Sequence, residues 1–240
     1  MKPILFTGDS HLAAIRKSLD PTVAEKLPGF VDFAPLGRGG EAVTDFFSVL
    51  DCGLSVTTHG DGWRNRTFSR ETVQINGQEA VLVLSMPLNT SRILRDYSWA
   101  RNVPWSFKSK NIEIALSDTL LHELISYDSG NSIRFAVALQ NAGVDVVILE
   151  GPRFFENADY LESCRFEVCQ YVDEAYRRYV GRVLSENGLE IIAQPPQTIT
   201  DYGTTNLEYD HPDPSDNHHA NVAYGGLVLE HVIEFAKSSR

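Results

Sequence analysis

The stretch PILFTGDSHLAAI (Pro3–Ile15) decides the fold of this chain. A short apolar run, Ile4–Thr7, stops at Gly8-Asp9-Ser10, and an amphipathic helical pattern begins at once. A buried strand that turns sharply into a helix is the first half of a βαβ unit. The polar triplet at the turn has two readings. Asp9 or Ser10 caps the helix, because their side-chain oxygens accept from the free N–H groups of a first helical turn. Alternatively Ser10 is a nucleophile, since the same turn exposes its hydroxyl beside backbone donors able to hold an oxyanion. Taken alone the triplet reads as a cap, and the other end of the chain has to decide.

Working outward, further strand-like runs fall at Phe30–Leu36, Ala80–Ser85, Val144–Glu150 and Leu189–Ala193. The last three are near-continuous Val/Ile/Leu segments, as expected of parallel strands buried on both faces. Helical patterns separate them at His11–Leu19, Glu41–Leu50, Ile112–Ala142 (with a break near Ser129-Gly130) and Ala158–Asn187, and a last one covers Asn221–Lys237. Alternating elements of this length predict an α/β fold, a three-layer α/β/α sandwich around a parallel sheet. Ligands of such sheets bind at the carboxyl ends of the strands. One region breaks the alternation. Residues 53–79 are polar and turn-rich, and in ETVQINGQEAVLVL (Glu71–Leu84) an Asn76-Gly77 turn joins two alternating runs. That region is predicted to be an insertion carrying a β-hairpin. No repeat or linker interrupts residues 1–240, which read as a single domain.

Thirty-two acidic against 21 basic side chains give a net charge of −11, which argues against a nucleic-acid binder. No apolar run approaches the ~18 residues of a membrane span, and Met1-Lys2-Pro3 leads into the first strand without a secretory signal pattern, so a cytoplasmic protein is expected. Cys52, Cys164 and Cys169 are too few for a disulfide scaffold and read as packing residues. His59, Asp61, Asp210 and His211 can be assembled on paper into a metal site, but no HxH or HExxH spacing supports one.

The long loop Thr200–Asn217 follows the last strand, and a loop of that length in a compact domain is usually functional. It runs into Asp216-Asn217-His218-His219-Ala220-Asn221. An Asp three residues before a His can accept from its Nδ1–H, fixing the tautomer and supporting an imidazolium. Asp-x-x-His before a helix is also a plausible cap.

Gly-Asp-Ser after the first strand, together with Asp-x-x-His-x-Asn and Tyr224-Gly225 before the last helix, resembles the GDSL, or SGNH, hydrolase family. The resemblance covers the whole chain and implies a flavodoxin-like sandwich and a serine esterase without metal or cofactor. It makes Ser10 the nucleophile, His219 the general base and Asp216 its partner; the family spacing selects His219 over its neighbour His218. The family usually has proline where Ala220 stands. It also implies an oxyanion hole built from the Ser10 N–H, a glycine after the second strand and an asparagine after the third. In APLGRGGEAV (Ala34–Val43) Gly40 fits that offset best, with Gly39 and Gly37 beside it. The usual Gly-x-Asn-Asp is absent, so Asn89 in LVLSMPLNTSRILRD (Leu82–Asp96) is the candidate donor and Ser85 the next.

Arg38, Arg92 with Arg95, and Arg153 follow the second, third and fourth strands, where a guanidinium could hold an anionic substrate or could pair with surface carboxylates. Trp63, Trp99 and Trp105 could form a platform for a sugar or acyl chain, or pack the insertion onto the body. The expected substrate is a small-molecule or glycan ester, cut by water. Transfer of the acyl group to a glycan hydroxyl uses the same residues, and a catalytically silent binding module on this fold is the reading from another class.

Overall fold

The computed structural model describes residues 2–19, 30–57 and 64–238. Five parallel strands form its central sheet: β1 (Ile4–Gly8), β2 (Val31–Pro35), β3 (Val81–Leu84), β4 (Val146–Leu149) and β5 (Glu190–Ile192). They lie in the order β2-β1-β3-β4-β5. Within that order β1 pairs with both β2 and β3, Ile4 opposite Val31 on one side and Val81 on the other. This is the flavodoxin-like order, in which the chain winds one way from β1 to β2 and the other way from β3 onward. The reversal leaves a crevice outside the carboxyl ends of β1 and β3.

Side chains alternate across the sheet and sort into two cores. Ile4, Phe6, Val83, Val147 and Leu149 face helices α1 (Leu12–Ser18) and α5 (Val222–Ser238). Leu5, Leu82, Leu84, Val146 and Ile148 face the other layer, formed by α3 (Asp118–Asn141) and α4 (Phe166–Glu186), with the one-turn helix α2 (Ser91–Leu94) beside them. Burial on both faces is what the Val/Ile/Leu runs required. Each fully buried aliphatic side chain stabilises this sandwich by roughly 1.5–3 kcal/mol.

Departures from the sequence-based expectation are local. Glu41–Leu50 is not a helix: a 3-10 turn at Gly39–Val43 passes into a strand at Phe47–Leu50. Its β-branched and aromatic residues favour the extended form, and the strand pairs in an antiparallel sheet with Gly53–Val56 and Arg66–Phe68. The long central helix is not broken at Ser129-Gly130. It begins late, at Asp118, where the Ser117 hydroxyl caps the Leu120 N–H at 3.2 Å. It then runs through Ser129, whose hydroxyl bonds back to the Ile125 carbonyl at 2.7 Å. The residues before it, Ile114–Leu116, pair instead with Asn102–Pro104. The next helix starts at Phe166 rather than Ala158. The hairpin is present as Gln74–Ile75 and Gln78–Glu79, with Asn76 (φ 52°) and Gly77 (φ 76°) both left-handed, as a two-residue hairpin turn requires.

Candidate active site

Gly8 ends β1 with φ 131°, and a Cβ there would fall 2.2 Å from Ser85 Oγ at the end of β3. Only glycine accommodates both the conformation and the approach. The turn sends Asp9 inward and Ser10 to the rim. Asp9 is buried, and its carboxylate accepts from the His11 N–H at 3.1 Å, Ser85 Oγ at 3.2 Å and Asn89 Nδ2 at 3.0 Å. Burial pushes this carboxyl up, and those hydrogen bonds pull against the rise. Asp9 therefore ties the end of β1 to the loop after β3.

Ser10 Oγ lies 2.8 Å from His219 Nε2, and His219 Nδ1 lies 2.8 and 2.9 Å from the two Asp216 oxygens. A carboxylate can only accept, so the proton sits on Nδ1 and the Nε2 lone pair faces the serine. The loop that presents these two residues is clamped. Asp216 Oδ1 also accepts from the His219 N–H at 3.2 Å, and Asn221 Nδ2 donates to the Glu208 carbonyl at 2.7 Å. Asn221 Oδ1 then accepts from the Tyr224 N–H at the start of α5. Partial burial pushes Asp216 up, but the hydrogen bond and charge of His219 more than offset this and hold its carboxyl below the ordinary value.

Two further imidazoles crowd the base. His218 Nδ1 is 3.2 Å from Asp216 Oδ1 and its ring lies 4.0 Å from that of His219. The His11 ring is 4.8 Å from the His219 ring, and its Nε2 is 3.5 Å from Ser91 Oγ. Burial, then the neighbouring His219, pushes both His11 and His218 down to about 3. They are neutral at physiological pH. Of the three rings, His219 is the one that reaches Ser10.

A pocket of about 430 Å³ opens beside the serine, lined among others by Ser10, Gly39, Gly40, Asn89, Arg38, Arg92 and His219. A Cβ on Gly39 would lie 3.0 Å from Asp9 Oδ2, whereas one on Gly40 would meet nothing within 4 Å. Gly39 is thus packed and Gly40 stands open. Gly37 faces a different hollow, with Leu12 and Phe33. Asn89 Oδ1 accepts from the Ser91 N–H at 3.1 Å, so its amide is held with one of its two Nδ2 hydrogens on Asp9.

The arginines divide. Arg38 is exposed on the pocket wall. Arg92, expected as a substrate contact, is locked instead. Its guanidinium meets the Asp128 carboxylate at 2.6 and 2.7 Å, and Nη1 donates to the Gly39 carbonyl. Burial alone would lower Arg92, but Asp128 outweighs it and raises the group above its ordinary value. Arg153 does not line the pocket; it lies 3.4 Å from the buried Asp173. Trp99 is a core residue whose Nε1 donates to the Ile93 carbonyl, and exposed Trp105 bonds Asp118 away from the pocket. Trp63, His59 and Asp61 lie outside the described residues. Of the paper metal set, Asp210 pairs with Asn157 at 2.6 Å. Sequence reasoning missed His11, Asp128 and Tyr176, whose hydroxyl bonds both Asp128 and the Pro87 carbonyl. Among these only His11, a polar residue on the apolar start of α1, left a signal in the sequence.

No family model and no curated protein sequence matches the chain. Solved structures do. A GDSL-like lipase from Bacteroides thetaiotaomicron aligns over 98% of this chain and 87% of its own, with 12% identity and a TM-score of 0.50. A lipase/acylhydrolase from Enterococcus faecalis covers 98% and 97% at 12% identity with a TM-score of 0.42. An acetyl xylan esterase covers 97% and 98% at 13% identity with a TM-score of 0.45. The chain has the SGNH hydrolase fold. Among the described residues no helix is long and apolar enough to cross a membrane.

Proposed function

We propose that this protein hydrolyses carboxylic esters through an acyl-enzyme on Ser10. The observation that carries the reading is the unbroken hydrogen-bond chain Ser10–His219–Asp216 at the β1/β3 crevice. As Ser10 Oγ attacks the ester carbonyl carbon, its proton passes to His219 Nε2, and Asp216 stabilises the imidazolium that forms. The carbonyl oxygen becomes an oxyanion that accepts from the N–H groups of Ser10 and Gly40 and from the second Nδ2 hydrogen of Asn89. Collapse of the tetrahedral intermediate breaks the C–O bond, and the leaving alcohol takes the proton back from His219. Water, deprotonated by the same imidazole, then attacks the acyl carbon and releases the acid. A small ester, free or on a glycan, suits a pocket of this size.

A fluorophosphonate probe tests the reading directly. It should label the wild type at Ser10 and leave Ser10→Ala unlabelled, with p-nitrophenyl acetate turnover following the same pattern. Equal labelling of both proteins, or turnover retained by Ser10→Ala, removes the proposal.

A further inference from the structure

The pocket beside the nucleophile has a charge pattern that ester hydrolysis by itself does not require. At this end of the sheet most arginines are already engaged. Arg92 holds Asp128, Arg153 and Arg177 hold Asp173, and Arg165 lies beside Glu113 and Glu167. Arg95 differs. It lines the pocket from the loop after α2, it is exposed, and among the described residues no carboxylate pairs with its guanidinium. Carboxylates outnumber cations 32 to 21 in this chain, so a partner was available in excess.

Asp9 is the one acid among the described residues lining the pocket, and neither it nor Asp216 beside His219 can neutralise Arg95. Asp9 is buried under its hydrogen bonds from His11, Ser85 and Asn89, and Asp216 is shared between His218 and His219. The imidazoles His11 and His218 lining the same pocket stay neutral, and the positive charge of Arg95 is one of the causes. Arg38 reaches the pocket from the loop after β2. The described residues that line the pocket therefore offer the Arg95 guanidinium fork, Arg38 and no carboxylate beyond the buried Asp9.

We propose that the substrate is an ester bearing an anionic group, a carboxylate or phosphate, that docks on Arg95 with Arg38 at its side while Ser10 faces the scissile carbonyl. The proposal rests on the esterase reading and adds the substrate class. A guanidinium matches the two oxygens of such a group bidentately, which gives orientation as well as attraction. Fixing the far end of a small ester on Arg95 positions the carbonyl over the serine.

The test compares p-nitrophenyl hemisuccinate, anionic in its acyl arm, with p-nitrophenyl butyrate, neutral and of similar length. A second pair, 4-acetoxybenzoate and phenyl acetate, places the charge in the alcohol arm. One of the two anionic esters should exceed its neutral partner in kcat/KM by tenfold or more at low salt, and the ratio should shrink as salt screens the charge. Arg95→Gln should lower that ratio about tenfold, and Arg95→Lys should restore part of it. Which pair shows the preference tells whether the anion lies on the acyl or the alcohol side. Neutral esters cut as fast as anionic ones in both pairs, or a ratio that Arg95→Gln leaves within twofold, overturns the anionic-substrate proposal while ester hydrolysis stands. Failure to turn over any of the four esters overturns the esterase reading, and this inference with it.

Discussion

Arg92 discriminates between a residue that touches substrate and one that builds the site. Replacing it with Met removes both hydrogen bonds to the Asp128 carboxylate and the one to the Gly39 carbonyl. Asp128 is 12% exposed at its side chain and would keep only the Tyr176 hydroxyl. Stranding one member of a buried ion pair costs about 3–5 kcal/mol. Arg92 itself is 25% exposed, so water can reach the gap and the lower end, about 3 kcal/mol, is expected. The Gly39–Gly40 turn would lose its tether, and a misplacement of about 1 Å near reacting atoms is enough to slow catalysis by up to ~10²-fold. Urea unfolding measures the first effect and steady-state kinetics the second. Adding Asp128→Asn removes the stranded charge while leaving an acceptor for Tyr176, so the double variant should recover at least half the lost stability. It should not recover kcat, because Gly39 is still unheld. An Arg92→Met protein with an unchanged urea midpoint and a raised KM would refute this account and return Arg92 to the substrate.

Four further outcomes are expected. Ser10→Ala should lower esterase activity by roughly 10³-fold or more with a stability change of about 1 kcal/mol, from the lost hydrogen bond to His219; unfolding of the variant would contradict this. His219→Ala should be nearly inactive and His218→Ala substantially active, and the reverse ranking in p-nitrophenyl acetate turnover would move the base by one residue. Asn89→Ala should lower kcat by about 10²–10³-fold with little change in KM, and a kcat within about threefold of wild type would place the third donor elsewhere, with Ser85 the next residue to replace. His11 and His218 fold with values near 3 against an ordinary 6.5, so between those pH values the folded state binds fewer protons than the unfolded one. Stability should then fall as pH drops from about 6.5 toward 3, each histidine adding up to ~1.4 kcal/mol per pH unit to the slope, and His218→Gln should flatten the urea midpoint-versus-pH curve.

Which features could be read from the sequence depends on how local their causes are. Val144–Glu150 and Ala80–Ser85 were legible because a strand covered on both faces needs apolar residues at every position, whatever lies above and below it. The Asn76-Gly77 hairpin was legible because its two left-handed residues are dictated by the turn itself. Glu41–Leu50 misled because its apolar spacing suits one face of a helix. In the structure Phe46 is buried against Phe135 of α3, with ring centroids 5.1 Å apart, a contact that no local pattern encodes. The same holds for the site. Asp216 and His219 are three residues apart and Ser10 sits at a strand–helix turn, so each half announces itself. The partners that settle Arg92 and Arg153 are 36 and 20 residues away, and only the packing of α3 and α4 against the β3 and β4 loops brings them there.

Ser10 and His219 meet across 209 residues, and the fold supplies the reason. In a parallel sheet every strand ends at the same edge, so helices that follow β1 and β5 both begin there. Ser10 lies just before α1 and His219 just before α5, and both helices cover the same face, joined through Leu12, Ile15, Tyr224 and Val228. Their backbones approach so closely that a Cβ on Gly225 would sit 2.2 Å from the Ala14 carbonyl oxygen. The distance between serine and imidazole is therefore set by a backbone-to-backbone contact near the start of both helices rather than by flexible side chains. The clamp of Asn221 on Glu208 and Tyr224 then fixes the turn of the loop before α5. A 2.8 Å hydrogen bond between elements from opposite ends of the chain is stable only when the supports under both partners are this short.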